Sequence, residues 1–203
     1  MKYFFSLLWV LLLAFNTIVS ASSFSAVLEW MYSNGLTKYN TETEYRPNDY
    51  VTRWEIAKFF VQYAKLKNLT KVNTNCSFWD IANYDSTLQP FIIEACNYGL
   101  MKWSQWNFRP NVNLTEAEAV TVIARTLFGL QNENANPRWT EYYNIASTYN
   151  IISGRDLWSL DRKATRATVW TWLYNASLID INSIQNESAD DVEKILEEIF
   201  WNL

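Results

Sequence analysis

Apolar residues recur every three or four positions in six segments of the chain, which is the spacing of an amphipathic helix. The segments cover residues 24–34, 52–69, 88–98, 115–128, 139–149 and 165–177. This pattern predicts an all-α fold. The residues predicted to face the core are Val27, Leu28, Met31, Ile56, Phe59, Phe60, Tyr63, Ala64, Ile92, Ile93, Ala95, Ala119, Val122, Ile123, Thr126, Leu127, Tyr142, Tyr143, Ala146, Val169, Trp172, Leu173, Ala176 and Ser177.

Three of these helices share one start signal. Thr52 is followed three positions later by Glu55, and Thr115 by Glu118, which is the capping-box pattern. In a capping box the Thr side chain accepts from the third helical N–H, and the Glu reaches back to the N–H of the Thr. Thr165 opens the third copy.

Each capped helix is preceded, 15 to 17 positions earlier, by a residue that suits the left-handed end of a helix. These three residues are Gly35, Gly99 and Asn150. A core helix, a helix stop, a long loop and a capped helix therefore occur three times. We predict three helix-loop-helix repeats, over residues 22–72, 73–131 and 132–180.

The two ends of the chain differ from the repeats. Residues 1–21 are typical of a secretory signal peptide, with Lys2 ahead of an apolar stretch and small residues at the end. An uncleaved membrane anchor is the alternative, but the stretch is short for a full span. No later segment is expected to cross a membrane.

Residues 181–203 predict a C-terminal amphipathic helix. It either packs against the repeats or docks on a partner helix. Its apolar stripe consists of Val192, Ile195, Leu196, Ile199 and Phe200.

Cys76 and Cys96 are the two cysteines of the chain. Export favours a disulfide between them, which would stabilise the fold by roughly 3 kcal/mol in the chain-entropy description. Two buried free thiols are the alternative, because the sequence does not show whether the two Cα atoms lie close together.

Composition argues against several classes of function. A formal net charge of −4 disfavours nucleic-acid binding, which needs a basic face. The chain contains no histidine, which excludes His-based triads and the usual His-containing zinc sites. We expect no metal site and no cofactor.

The order and spacing of the motifs resemble the S-layer homology family over residues 24–178. The first repeat carries Asn34-Gly35-Leu36, Tyr45-Arg46-Pro47 and Thr52-Arg53-Trp54-Glu55. The second repeat carries Phe78-Trp79-Asp80, Tyr98-Gly99-Leu100, Phe108-Arg109-Pro110 and Thr115-Glu116-Ala117-Glu118. The third repeat carries Asn150-Ile151 and Thr165-Arg166-Ala167-Thr168.

This resemblance implies a bundle of three repeats about a pseudo-threefold axis. It also implies non-covalent attachment to an acidic secondary cell-wall polysaccharide, often one with pyruvyl ketals, at the bacterial surface. Arg53 and Arg166, beside the cap residues Thr52 and Thr165, would bind the acidic sugar, since a guanidinium near a helix N-terminus suits a carboxylate. Glu116 stands where the second repeat should have Arg, and it would repel an anionic ligand.

Two other functions compete with attachment to the cell wall. A glycan hydrolase needs paired carboxylates, but Glu116 and Glu118 are two positions apart on a helix and point to different faces. We therefore expect no enzymatic activity. A structural or adhesive surface protein, which acts through contacts with other surface proteins, is the main alternative.

Tryptophan is unusually frequent, with 11 Trp against 4 Gly. One hypothesis is that some are UGA codons from a bacterium that reads UGA as glycine, and UGG codons would exclude it. The alternative is a genuine aromatic surface for stacking on sugars. The positions in question are Trp54, Trp103, Trp106, Trp158 and Trp170.

Overall fold

The computed structural model describes residues 24–72, 75–82, 84–101, 107–129 and 134–180. The predicted signal peptide, the predicted C-terminal helix, Trp103 and Trp106 lie outside these residues. The described part contains seven α-helices and no strand, so the predicted all-α class is confirmed. The helices are α1 Phe24–Ser33, α2 Glu42–Tyr45, α3 Arg53–Leu66, α4 Gln89–Asn97, α5 Glu116–Phe128, α6 Thr140–Thr148 and α7 Arg166–Ser177.

The six predicted helices correspond to α1 and α3 to α7, and three further elements were not predicted. The short helix α2 forms in the first long loop, where the hydroxyl of Thr41 accepts from the N–H of Glu44 at 3.4 Å. Two 3-10 turns, Trp79–Ile81 and Leu157–Asp161, lie in other loops. No helix in the described ranges is both long and apolar enough to cross a membrane.

One core prediction is wrong. Ile93 is 37% exposed, whereas Ile92, Ala95 and Cys96 are buried. These three residues already complete one helical stripe at positions i, i+3 and i+4. Ile93 is rotated about 100° from Ile92 around the helix, which carries its side chain away from the core.

The three predicted helix stops all have left-handed backbone: φ is 68° at Gly35, 71° at Gly99 and 53° at Asn150. At Gly99 a second constraint applies, because a Cβ atom there would lie 3.0 Å from Cγ2 of Val72. Glycine therefore satisfies both the conformation and the packing at this position.

The helices pack in a closed order. Helix α3 packs on α4, α5 packs on α6, and α7 packs back on α1, while α5 also contacts α7. Each capped helix thus lies against the first helix of the next pair, and the last pair returns to the first. The predicted pseudo-threefold arrangement stays a prediction, and this order of contacts is what such an arrangement requires.

A ring of three backbone hydrogen bonds closes the centre of the molecule. Val51 donates to the carbonyl of Ala164 at 3.1 Å, Ala164 donates to Leu114 at 2.8 Å, and Leu114 donates to Val51 at 2.9 Å. All three residues are fully buried. Because each directly precedes the cap threonine of α3, α5 or α7, the ring brings the three helix starts together.

Cys76 and Cys96 form a disulfide, with Cα atoms 6.0 Å apart. The bond joins the segment before the first 3-10 turn to the end of α4.

Three of the tryptophans that the UGA hypothesis concerns lie in the described residues: Trp54, Trp158 and Trp170. None of them has left-handed backbone. Trp170 is fully buried in α7, and its ring is nearly perpendicular to that of Phe59, with the ring centroids 4.6 Å apart. Trp158 is 73% exposed. Conformation therefore gives no reason for glycine at these three positions, and the codons remain the test of that hypothesis.

Candidate functional site

Helices α3, α5 and α7 each begin directly after a threonine with extended backbone. At α3 the carboxylate of Glu55 accepts from both the N–H and the hydroxyl of Thr52, at 2.8 Å each. At α5 Glu118 accepts from the N–H of Thr115 at 3.0 Å, and the Thr115 hydroxyl accepts from the N–H of Glu118 at 3.2 Å. At α7 the hydroxyl of Thr165 accepts from the third helical N–H at 3.2 Å.

Arg53, the first residue of α3, connects this helix start to the second helix pair. Its Nε donates to the carbonyl of Phe108 at 2.7 Å, and its Nη1 pairs with Glu118 at 2.9 Å. Arg53 is only 6% exposed. Burial lowers the pKa of Arg53, and the charge of Glu118 opposes that shift. The guanidinium therefore acts as a buried clamp between two helix starts.

Arg166, the first residue of α7, makes the same connection to the first helix pair. Its Nη1 donates to the carbonyl of Tyr45 at 2.9 Å, and its Nη2 pairs with Glu55 at 2.6 Å. Both side chains of the ion pair are mostly buried. The partner types match those of Arg53: an aromatic residue's carbonyl and the capping-box glutamate of another helix.

The third connection has the opposite polarity. Glu116, the first residue of α5, is 2% exposed and meets two arginines of the third helix pair. Its Oε2 lies 3.1 Å from Nε of Arg155 and 2.9 Å from Nε of Arg162. At the start of α7, Thr168 occupies the position of a capping-box glutamate. At this contact the helix start therefore supplies the carboxylate and the neighbouring unit supplies the arginines, whereas at the other two contacts the helix start supplies the arginine.

The buried arginines fix the peptides that precede two exposed arginines. Phe108, whose carbonyl Arg53 holds, is followed by Arg109, and Tyr45, whose carbonyl Arg166 holds, is followed by Arg46. Arg109 and Arg46 both have left-handed backbone, with φ of 59° and 56°. Their side chains are 50% and 62% exposed. The motif arginines thus position neighbouring arginines that face solvent.

A groove of about 440 Å³ runs along α5 between Arg53 and the start of α6. Its lining includes four arginines and two carboxylates, so the groove is positively charged. Glu116 lies outside this lining and faces Arg155 and Arg162 instead, so it places no charge in the groove. The charged residues of the lining are Arg53, Arg109, Arg125, Arg138, Glu118 and Asp161.

Aromatic side chains form the wall of the groove at α6. Tyr142 is buried, and its hydroxyl accepts from Nε of Arg125 at 3.1 Å. The indole N–H of Trp139 donates to the carbonyl of Leu157 at 3.5 Å, which holds the half-buried ring at the start of α6. Arg138, directly before it, is exposed. A half-buried ring beside an exposed guanidinium can stack on a sugar ring and bind its acidic group.

The structure separates the four residues predicted to bind glycan. Arg53 lines the groove with most of its donors used inside the protein, whereas Arg166 and Thr165 lie at a different helix start. Sequence reasoning missed the exposed groove residues Arg109 and Arg138. The signal for Arg109 was present, because it is the middle residue of the Phe108-Arg109-Pro110 motif. In the described ranges no three His, Cys, Asp or Glu residues are grouped to hold a metal ion.

Comparison with protein families gives one match. Residues 14–57 match the model of the S-layer homology domain, which is consistent with an S-layer homology domain protein. The matched segment begins inside the predicted signal peptide and ends two residues after Glu55, so it includes the first capping box. A comparison with curated proteins finds no match. Domains of this family generally mediate non-covalent anchoring to the cell wall at the bacterial surface.

Proposed function

We propose that this S-layer homology domain protein is exported, loses residues 1–21, and attaches to an acidic cell-wall polysaccharide through the groove along α5. The single observation that carries the proposal is the set of four arginines beside the aromatic wall of a solvent-open groove. Guanidinium groups bind carboxylates through paired, charge-assisted hydrogen bonds, and aromatic rings supply a flat apolar surface for a sugar.

The groove residues have different roles in this proposal. Arg109 and Arg138 contact the acidic sugar, because both are exposed at the groove. Trp139 stacks on the sugar ring. Arg53 is a positioning residue that holds the peptide before Arg109. Arg166, with Thr165, has the equivalent role for Arg46 at a second, weaker contact point.

The three helix pairs are three repeats in this proposal, with the boundaries 22–72, 73–131 and 132–180. Two observations support it: the closed order of helix packing, and the ring of hydrogen bonds through Val51, Leu114 and Ala164. The chain acts by binding and not by catalysis, in keeping with the cell-wall binding character of the domain.

Co-sedimentation of the mature protein with purified bacterial sacculi tests the proposal. The Arg109→Ala, Arg138→Ala double variant should bind at least 10-fold more weakly, because each hydrogen bond to a charged group contributes roughly 1.5–3 kcal/mol. Removal of the acidic substituents from the wall polymer by mild acid should weaken the wild-type protein equally. The matched control is Lys38→Ala with Lys67→Ala, which removes the same charge away from the groove and should bind normally.

Two results would count against the proposal. Equal binding by the groove variant and the lysine control would remove the groove from the mechanism. Self-association of the free protein on size exclusion, together with no binding to sacculi, would favour the structural or adhesive role instead.

A further inference from the structure

One face of the molecule combines exposed lysines with exposed apolar residues. It lies around the end of α3, the segment after it, and α4. We name it the lysine face, and it consists of Lys65, Leu66, Lys67, Lys71, Val72 and Ile93. Leu66 is 41%, Val72 is 59% and Ile93 is 37% exposed. Exposed apolar side chains grouped with charges of one sign are typical of an interaction surface.

Contacts of α3 and the segment after it with α4 hold the lysine face together. Nζ of Lys65 and Nζ of Lys71 lie 2.7 and 2.9 Å from the two carboxylate oxygens of Glu94 on α4. The N–H of Val72 donates to the carbonyl of Asn97 at 2.8 Å. Two lysines thus share one carboxylate, and with Lys67 the face carries more positive than negative charge.

We propose that the C-terminal segment 187–203 of this chain docks on the lysine face. The segment carries six carboxylates and one lysine, so its charge is opposite to that of the face. Its apolar stripe recurs at positions i, i+3, i+4, i+7 and i+8, which suits a helix that buries one side. The stripe would cover Leu66, Val72 and Ile93, with the carboxylates next to the lysines.

A series of aromatic contacts links the end of α7 to the lysine face. The ring centroid of Trp30 lies 6.4 Å from that of Tyr63 on α3 and 5.5 Å from that of Tyr174 on α7. Nζ of Lys67 lies 5.8 Å from the centroid of the Tyr63 ring. Tyr174 is in the last turns of α7, so successive aromatic contacts through Trp30 and Tyr63 connect the end of that helix to Lys67.

The connecting segment is long enough for this path. Residues 181–186 separate the described end of the chain from the acidic segment, and six extended residues reach about 20 Å. A tether of this length also gives the segment a high effective concentration at the face, which favours docking within one chain over docking between chains.

Zero-length carbodiimide cross-linking of the mature protein, followed by peptide mass spectrometry, tests the proposal. Lys65, Lys67 and Lys71 should form amide links to carboxylates of residues 187–198, with yields that do not change on 10-fold dilution. Lys38 and Lys163 are the matched controls, because both are exposed elsewhere. They should form these links at less than one third of the yield.

A protein ending at Asp180 gives an independent measurement. Acetylation of Lys65, Lys67 and Lys71 should be at least threefold faster in it than in the full chain, whereas Lys38 and Lys163 should react equally in both. Unchanged acetylation rates, or equal cross-linking of all five lysines, would overturn the proposal. Cross-links confined to a dimer that disappears on dilution would also overturn it, and would assign the face to a second copy of the chain.

Discussion

Glu55 serves two helices at once. Its carboxylate accepts from the N–H of Thr52 at the start of α3, and it pairs with Arg166 at the start of α7. Burial disfavours the charged form, but the hydrogen bonds from Thr52 and Arg166 outweigh it and hold the pKa of Glu55 below its ordinary value of 4.5. A carboxyl with a lowered pKa in the folded state stabilises the protein at pH values above its ordinary pKa.

The Glu55→Gln variant should therefore lose stability in a pH-dependent way. The charged interactions of Glu55 are fully present above pH 4.5 and disappear as the pH falls through the lowered pKa of the folded state. We expect a loss of roughly 2 kcal/mol near pH 6, the size of a hydrogen bond to a charged group, and a clearly smaller loss near pH 3. Urea unfolding of both proteins at pH 3, 4, 5 and 6 measures this difference.

Glu94→Gln is the comparison for this prediction. Glu94 also has a lowered pKa, because hydrogen bonds from Lys65 and Lys71 outweigh its burial. Its partners are 53% and 44% exposed, and exposed ion pairs contribute little to stability. A loss in Glu55→Gln that is the same at pH 3 and pH 6 would contradict the assigned role of the Glu55 charge.

Sequence reasoning worked at single residues where the determining contacts are local. The Thr52 and Thr115 caps were predictable because each is completed within three residues. The helix stop at Asn150 was predictable because asparagine adopts the left-handed backbone conformation more readily than most residues. The partners of Arg53 and Arg166 were not predictable, because the paired glutamates lie 65 and 111 positions away. The sequence therefore did not show that both arginines are mostly buried and paired with glutamates, and their glycan binding stays a prediction.

At the scale of elements, the starts of α3, α5 and α7 each pack on a loop of another unit. The backbone hydrogen bonds at the three contacts are alike, but the charges of the side chains differ. Arg53 donates its N–H to Val112, Glu116 donates to Arg162, and Arg166 donates to Asp49. In the first and third contacts the helix supplies the arginine, whereas in the second it supplies the glutamate. By analogy with the Arg53–Glu118 and Arg166–Glu55 pairs, we infer that Glu116 and Thr168 belong to one contact, which has the reversed polarity.

Substitutions at positions 116 and 168 that restore the polarity of the other two contacts should have strongly non-additive effects on the free energy of unfolding. Glu116→Arg alone should destabilise the protein by roughly 3–5 kcal/mol, because it breaks a buried ion pair and places a third guanidinium beside Arg155 and Arg162. Adding Thr168→Glu should recover more than 1 kcal/mol of that loss by restoring the pairing seen for Arg53 and Arg166. Chemical unfolding of the wild type and three variants gives the coupling energy.

The single variant Thr168→Glu is the control in this cycle. It adds a capping-box glutamate at α7 but places a second carboxylate in the contact inferred for Glu116, so the variant alone should not be more stable than the wild type. A coupling energy near zero would show that residues 116 and 168 do not share a contact.

At the scale of the whole molecule, the described helix pairs depend on one another. The buried N–H of Val51 in the first pair needs the carbonyl of Ala164 in the third, and Ala164 needs Leu114 in the second. A buried backbone donor without its partner costs about 1–3 kcal/mol. The ring, the clamps and the closed packing order therefore predict a single cooperative unfolding transition, with equal calorimetric and van't Hoff enthalpies.

A fragment that ends at Gly129 tests this dependence most directly. It keeps the Arg53–Glu118 clamp and the disulfide, but it loses the acceptors of Val51 and Glu116 and both arginines that neutralise Glu116. We expect circular dichroism to show well under the helix content of the same residues in the full chain, and no sharp thermal transition. Adding a peptide of residues 134–203 should restore helix content in proportion to complex formed. A fragment that unfolds sharply at the midpoint of the full chain would show instead that the first two pairs fold independently, and the ring would then be a contact between finished units.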